Sequence, residues 1–426
     1  MSRVVVVGGS VAAAKTVQGL RERGHDGPIV LVSDEPHPPY DRPPLSKEYL
    51  ATADAASLEL LPAQWYADHD VELLLGTSAT GVDLQARRLE TSAGSIPYDD
   101  LVIATGARAR TLPGADAVTG VHTLRSRGDA DALREQLAPG AEVVVIGAGF
   151  IGFEVASTVL GLGARVTVVE AAPAPLGRSL DPATAAVLVD HARAAGAVVR
   201  TGVAISELST TDGRVDAVLL ADGTRLPADV VVVGIGATPT VGWLEDSGLP
   251  VGPHGLSAEM TGAVAPGVWA VGDVAGWSSP EGEGRRHEHW TSASDQARVV
   301  AQNIVAQNTP DPTDPTDTPD AAAAPADTTQ ARTTSGPDYV WSDQFGLRIN
   351  IIGEPLLADT LVRVDDTPAT LTVLYAARGR LVGACIAHQP RLMAQARVWV
   401  ARDTPVDQIP LWVEQQNSQD PSRSYA

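Results

Sequence analysis

Residues 147–152 read GAGFIG, a G-x-G-x-x-G at Gly147, Gly149 and Gly152 between the apolar run EVVVI and a helix-forming stretch. Glu170 closes the next apolar run, RVTVVE, 18 residues after Gly152. This spacing suits a dinucleotide. The first glycine permits a tight turn, the second lets a pyrophosphate approach the backbone, and the third lets helix and strand pack closely. The helix N-terminus then faces the phosphates, and the acid accepts hydrogen bonds from the ribose hydroxyls. Phe150 and Ile151 fill the same turn. A negative Glu170 repels a 2′-phosphate, which favours NADH over NADPH. Glycines placed for packing alone would spell the same letters; the strand, helix and terminal acid around them favour the ligand.

A second, degenerate copy stands at the N-terminus. Gly8, Ser10 and Ala13 take the three glycine positions after the run RVVVV, with Ala12 in the same turn. Asp34, with Glu35 beside it, stands near the end of the following strand and could bind a ribose. Two further stretches belong with this copy. LVIATGAR is a buried strand ending in Ala104-Thr105-Gly106, and GVWAVGDVAGW is a strand ending in Gly272-Asp273. In a flavin fold that aspartate binds the ribityl chain or the pyrophosphate bridge, and the following helix points its N-terminus at the flavin. Each stretch alone reads equally well as strand and turn.

Lys47 is the remaining chemical candidate. Of 31 basic residues only Lys15 and Lys47 are lysines, which leaves 29 arginines. Lys47 follows the segment EPHPPYDRPPLS, whose prolines at 36, 38, 39, 43 and 44 fix φ and stiffen an irregular stretch. Such a segment can hold a cation in place without a regular element. A surface lysine on a proline-rich loop is the plain alternative.

Residues 3–32 and 142–170 each read as strand, turn, helix, strand, with continuous valine-rich runs expected of parallel strands buried on both faces. Two such units imply two Rossmann-like domains. Residues 309–337 are rich in Pro, Thr, Asp and Ala and lack large apolar residues, which reads as a disordered linker. From Tyr339 alternating stretches such as RINIIG and LTVLYAA predict a small domain with an antiparallel sheet, and the last residues read as a tail. The net charge of −21 opposes binding to nucleic acid or anionic lipid. Cys385 is the single cysteine, so no intrachain disulfide, CxxC redox pair or thiolate metal centre can form. The N-terminus shows no leader pattern and no long apolar run is free of charges or breakers, so a soluble cytoplasmic protein is expected. An H-x-H at His287 and His289 has no Cys or third His nearby, which makes a metal site a weak reading.

The stretches YDRPPLSKEYL, LVIATGARAR, VVVIGAGFIGFEVAS, DGTRLPADVVVVGIGATP, VWAVGDVA, EHWTSASDQA and VWSDQFGLRI span almost the whole chain. Through them the sequence resembles the FAD-dependent, NADH-linked ferredoxin reductases of bacterial oxygenase and cytochrome P450 systems. The resemblance implies an α/β fold with two Rossmann-like dinucleotide-binding domains, for FAD and NAD, and a small α+β C-terminal domain. It divides the chain into FAD-binding parts at 1–112 and 239–308, an NAD-binding domain at 113–238, the linker, a C-terminal reductase domain at 338–415 and a tail at 416–426. It departs from the family in the length of the linker and in Ser10 and Ala13.

By the same resemblance Gly8, Ser10, Ala12, Ala13, Asp34, Glu35, Arg42, Ala79, Ala104, Thr105, Gly106, Arg125, Gly272, Asp273 and Trp290 contact FAD. Lys47 lies at the N5 side of the isoalloxazine, and Trp341 lies near the flavin. Gly147, Gly149, Phe150, Ile151, Gly152, Glu170, Arg178 and Gly236 complete the cofactor-binding set. Glu154 faces the nicotinamide and pairs with Lys47. The expected reaction carries hydride from NADH to the flavin and then single electrons to a [2Fe–2S] ferredoxin. A cation near N5 favours the anion that forms when hydride arrives, and arginine would not replace lysine's compact charge. The expected state is a monomer or weak homodimer. A basic patch at Arg285, Arg286, Arg391 and Arg397 could dock an acidic ferredoxin, with internal ion pairing as the alternative. Reductases of rubredoxin, a quinone or monodehydroascorbate, and signalling flavoproteins like apoptosis-inducing factor, are the rival readings.

Overall fold

A computed structural model describes residues 2–279, 282–307, 336–366 and 370–409. Of the expected linker only Gly336 and Pro337 fall among these, and the expected tail lies outside them. The chain forms two compact units: Met1–Arg110 with Arg125–Asp131 and Gly236–Ser335, and Thr111–Leu124 with Ala132–Ile235 and Gly336–Ala426. Arg125–Asp131, which sequence placed within 113–238, thus belongs to the first unit.

The first unit is built on a six-stranded sheet. Its order is Ala263–Ala265, Val268–Ala270, Asp100–Ile103, Val4–Val7, Ile29–Val32 and Val71–Leu74. Every pairing is parallel except the first. Val4 to Val7 and Ile29 to Val32 are buried at every position, as β-branched runs covered on both faces must be. The helices Val11–Glu22 and Trp290–Gln307 pack together in this unit. Smaller antiparallel sheets hang from it, among them Ala79–Asp83 with Arg88–Thr91 and Gly94–Pro97.

The helix expected to follow Asp273 does not begin at once. Gly272–Val274 makes a single tight turn, and Ala275–Ser279 runs on as a strand parallel to Gly255–Ala258. Trp277 is buried, with its indole N–H donating to the Ala270 carbonyl at 2.9 Å, and this anchors the segment in a sheet. The helix comes later, at Trp290–Gln307, and reaches back through Gln296, whose side-chain oxygen accepts from the Gly272 amide at 2.7 Å.

The second unit holds a five-stranded sheet with every pairing parallel, in the order Val198–Thr201, Arg165–Glu170, Glu142–Ile146, Val230–Val233 and Val121–His122. It also holds the five-stranded antiparallel sheet of the C-terminal region, ordered Tyr339–Gln344, Leu347–Gly353, Arg380–Ala387, Leu371–Ala377 and Thr360–Asp366. Helix Pro390–Ala401 lies on this sheet, burying Leu392, Ala396 and Trp399 against Ile352, Leu374, Leu381 and Ile386. The fold is therefore α/β, with two Rossmann-like domains and a small α+β C-terminal domain.

Candidate functional site

The two parallel sheets solve one steric problem in the same way. A Cβ on Gly8 would lie 2.2 Å from the Ala104 carbonyl oxygen, and a Cβ on Gly147 would lie 2.3 Å from that of Gly234. In each sheet an interior strand turns sharply beside its neighbour, and both glycines take positive φ, +149° and +103°. Gly152 permits the helix to seat, since its Cβ would meet the Gly147 oxygen at 2.1 Å. Ala13 takes that place in the first unit and is fully buried. Gly149 differs: a Cβ there would meet nothing within 4 Å. Its freedom from side chain keeps open the space before helix Phe150–Gly161, where a phosphate meets backbone N–H groups. Ser10 likewise makes no side-chain cap on helix Val11–Glu22; its hydroxyl donates to the Tyr40 carbonyl at 3.2 Å. Both helix starts fit a dinucleotide phosphate.

Glu170 is held at the rim of the second loop. One carboxylate oxygen accepts from the Ala148 amide and the other from Ala172, each at 2.8 Å. Its lone pairs still leave room for ribose hydroxyls. Register gives the matching position in the first unit: Val7 pairs with Val32 as Ile146 pairs with Val169, so Ser33 stands where Glu170 does. Ser33 is buried, and a Cβ on Gly9 would lie 2.3 Å from its hydroxyl oxygen. Glu35 is already engaged, by the Tyr40 hydroxyl at 2.6 Å and by Arg42 at 2.8 Å, whereas Asp34 is exposed. Burial, first of all, pushes the Tyr40 phenol well above its usual range, so it stays protonated and donating.

Arg125 and Asp273 meet in the first unit, Nη2 to Oδ2 at 2.8 Å, while Arg125 Nε donates to the Ala107 carbonyl at 2.8 Å. The guanidinium passes over Gly106, whose Cβ would sit 3.3 Å from it. Ala12 and Gly272 approach closely, a Cβ on the glycine lying 3.2 Å from that of Ala12. Thr105 donates to the Thr240 carbonyl at 2.9 Å and so ties the Ala-Thr-Gly turn to the chain that re-enters this unit at Gly236. Ala79 begins its strand half-buried against the unit's core.

Lys47 is half-buried and joins the turn Pro43–Ser46 to helix Glu48–Thr52. Its surroundings show a residue that sequence reasoning missed. Asp41 accepts the indole N–H of Trp290 at 2.8 Å. Burial raises the Asp41 carboxyl above its ordinary range, opposed by that bond and by the charges of Lys47 and Lys15. Asp41 therefore binds Trp290 directly and feels the charges of Lys47 and Lys15. The signal that could have found it is the aspartate in YDRPPLSK itself.

In the second unit Glu154 is buried on helix Phe150–Gly161, where the Ser342 hydroxyl donates to it at 2.7 Å. Phe150 and Ile151 begin that helix, and Ile151 is 43% exposed, an unusual fraction for isoleucine beside a phosphate loop. Arg178 is exposed in the loop after Glu170, and that loop closes over the turn through the Leu176 amide and the Ala148 carbonyl, 3.1 Å apart. Trp341 is stacked near Tyr339 with ring centroids 6.0 Å apart. Lys47 lies in the first unit and Glu154 in the second.

Arg286, expected in a docking patch, is engaged by Glu288 at 2.6 Å and donates to the Asp273 carbonyl at 3.3 Å. Arg391 and Arg397 are exposed, Arg397 lying over the Tyr339 ring at 4.8 Å. Cys385 is fully buried, and burial pushes its thiol up to about 12. Among the described residues no group of three or more His, Cys, Asp or Glu could hold a metal ion, and no helix is long and apolar enough to cross a membrane.

Comparison with known proteins agrees with this geometry. Residues 2–297 match the pyridine nucleotide-disulphide oxidoreductase family and residues 339–416 match the reductase C-terminal domain. The chain is 33% identical to the ferredoxin–NAD(+) reductase component of the p-cumate 2,3-dioxygenase system of Pseudomonas putida, covering 96% of this chain and 95% of that one. It is 34% identical to rhodocoxin reductase of Rhodococcus erythropolis, covering 95% and 90%. A chain of the covalent putidaredoxin reductase–putidaredoxin complex superposes with a TM-score of 0.86 at 30% identity, covering 98% and 99%. Two glycine turns of one design, an anchored acid after the second, and relatives matched over nearly their full length agree: the chain belongs to the pyridine nucleotide-disulphide oxidoreductase family, among the ferredoxin–NAD(+) reductases that carry a reductase C-terminal domain.

Proposed function

We propose that the protein is an FAD-dependent NADH:ferredoxin reductase, passing electrons one at a time to a [2Fe–2S] ferredoxin that serves a cytochrome P450 or another oxygenase. The observation that carries this is the repeated glycine-to-carbonyl approach, 2.2 Å at Gly8 and 2.3 Å at Gly147, which builds a dinucleotide turn at two places in one chain. FAD, when bound, accepts two electrons together and returns them singly, which joins a nicotinamide donor to an iron–sulfur acceptor. The protein's own residues bind and orient. In the first unit Gly8, Ser10, Ala12 and Ala13 form the FAD turn, Asp34 takes the ribose, and Asp273 and Arg125 hold the ribityl and phosphate region. Lys47 supplies the fixed cation, with Asp41 and Trp290 setting its surroundings. In the second unit Gly147, Gly149 and Gly152 receive the NADH pyrophosphate, Glu170 selects the unphosphorylated ribose, and Glu154 faces the nicotinamide. Cys385 lies buried with its thiol held protonated, so no thiol relay takes part.

The names of the relatives, reductases of ferredoxins in oxygenase and redoxin systems, favour a ferredoxin over rubredoxin, quinone or monodehydroascorbate. They likewise favour an electron carrier over a signalling flavoprotein. The protein works in the cytoplasm as a monomer or weak dimer, and Arg391 and Arg397 are exposed to a partner, while the side chain of Arg285 lies outside the described residues. Anaerobic mixing with NADH should bleach the flavin, and the reduced protein should then reduce a [2Fe–2S] ferredoxin. Lys47→Ala should keep flavin and slow the bleaching. A flavin untouched by NADH overturns the assignment, and fast reduction of rubredoxin or quinone with none of ferredoxin changes the acceptor.

A further inference from the structure

The C-terminal region contributes to the site on the first turns of helix Phe150–Gly161. Along strand Tyr339–Gln344 the side chains alternate, and Ser342 and Gln344 are buried on one face. Three contacts clamp this strand end to the helix. The Ser342 hydroxyl donates to Glu154 Oε1 at 2.7 Å, the Phe345 amide donates to the Ser157 hydroxyl at 2.8 Å, and Phe345 meets Phe153 edge-on with ring centroids 5.9 Å apart. Behind Ser342 stands Gln344, whose Nε2 donates to the Ser342 oxygen at 3.1 Å.

The chemistry of this chain has a direction. A side-chain NH₂ can only donate, so Gln344 occupies a lone pair of Ser342 and leaves its single proton for Glu154. A hydroxyl that donates to a carboxylate fixes one oxygen, so the other oxygen points along a set line. Gln344 Oε1 is buried with no hydrogen-bond partner among the described residues. Half a turn of the amide would present that oxygen to Ser342 instead and compete with Glu154 for the same proton. The orientation of one buried amide therefore decides whether Glu154 receives a donor.

We propose that Ser342 and Gln344 are positioning residues for Glu154, so that the C-terminal strand is a working part of the nicotinamide site. This rests on the reading above that Glu154 faces the nicotinamide. As hydride leaves, that ring gains positive charge, so a fixed carboxylate favours the transition state over the neutral NADH ring. Loss of the fixing bond should then lower the rate of flavin reduction more than the affinity for NADH.

The test is rapid-mixing reduction of the full holoenzyme by NADH, with the limiting rate and the NADH dissociation constant read separately. Ser342→Ala should lower the limiting rate about three- to tenfold, the net worth of roughly one ordinary hydrogen bond, and change the dissociation constant less than about twofold. Ser342→Thr, which keeps the hydroxyl, should restore most of the rate. Tyr375→Phe is the control. Tyr375 also joins the C-terminal sheet to the rest of this unit, donating to Asp181 at 2.8 Å, but it does not touch Glu154 in this way. It should cost melting temperature and spare the limiting rate. If Ser342→Ala reduces at the wild-type rate, or if Tyr375→Phe slows reduction as much, Ser342 does not position Glu154. If wild-type flavin is not reduced by NADH at all, the functional reading has failed instead, and the wild-type arm alone shows it.

Discussion

Glu170 should decide the coenzyme, and elementary electrostatics sets the size of the effect. Its two oxygens are pinned by the Ala148 and Ala172 amides at 2.8 Å each, so the carboxylate cannot swing away from a 2′-phosphate. A phosphate of about −1.5 charge at about 6 Å, in an effective dielectric near 20, costs about 4 kcal/mol. Screening at physiological salt, with a Debye length of about 8 Å, leaves about 2 kcal/mol. The ribose hydroxyl lost to phosphorylation no longer donates to the carboxylate, which adds about 1.5 kcal/mol. The sum of about 3.5 kcal/mol corresponds to roughly a 300-fold preference for NADH in kcat/KM. Glu170→Gln removes the charge and keeps the size, so the preference should fall to about tenfold. NADH efficiency should fall as well, because the new NH₂ cannot accept from one of the two backbone amides. Steady-state kinetics with ferricyanide as acceptor measure both ratios, at low and at high salt. A wild-type enzyme that uses NADPH as well as NADH, or a ratio that Glu170→Gln leaves unmoved, would refute the reasoning.

Other positions give sharper contrasts. Gly149→Ala should fold and melt like wild type, since its methyl meets open space, yet weaken NADH binding in a titration; Gly152→Ala, with its methyl 2.1 Å from the Gly147 oxygen, should lower the melting temperature by a cost of about 1–3 kcal/mol. Asp41 has its carboxyl pKa raised in the folded protein, so its proton favours folding below the usual carboxylate range and that stability is lost as pH rises through the raised value. Asp41→Asn, which keeps an acceptor for Trp290, should therefore melt at or above the wild-type temperature at pH 7, the gap closing toward pH 4; a marked drop at pH 7 would contradict this. Cys385, buried with its thiol pushed up to about 12, should resist thiol reagents at pH 8 in the native protein and react once it is denatured, as mass spectrometry would show.

What the sequence made legible is what lies close together along the chain. Gly147, Gly149, Gly152 and Glu170 fall within one strand–helix–strand unit, and each has a role that a neighbouring strand or helix fixes. The degenerate copy was legible too, because Ala13 is small enough to stand buried in the packing position of the third glycine. Less legible were pairings across long separations. Asp41 meets Trp290 over 249 residues, Arg125 meets Asp273 over 148, and Glu154 meets Ser342 over 188. No local period marks such partners, since each side chain reads as an ordinary polar residue of its own segment. The strand that stands between Asp273 and the helix following it was hidden for a related reason. Whether AGWSS continues as strand or helix depends on Gly255–Ala258 lying alongside it, and that neighbour is set by the fold rather than by the letters.

The division of the chain into units bears on how it is made. The backbone passes between them five times, at 110/111, 124/125, 131/132, 235/236 and 335/336. During synthesis the parallel sheet of the second unit has all its strands once Val230–Val233 has left the ribosome. At that moment the first unit still lacks Val268–Ala270, the neighbour of Asp100–Ile103, and the helix Trp290–Gln307. The part that begins last can thus close first, while Asp100–Ile103 waits for a partner strand about 170 residues downstream. A chain cut short near residue 240 would carry a finished parallel sheet and an open one, with the edge of Asp100–Ile103 bared for aggregation. Neither unit can be produced by trimming the chain at one end.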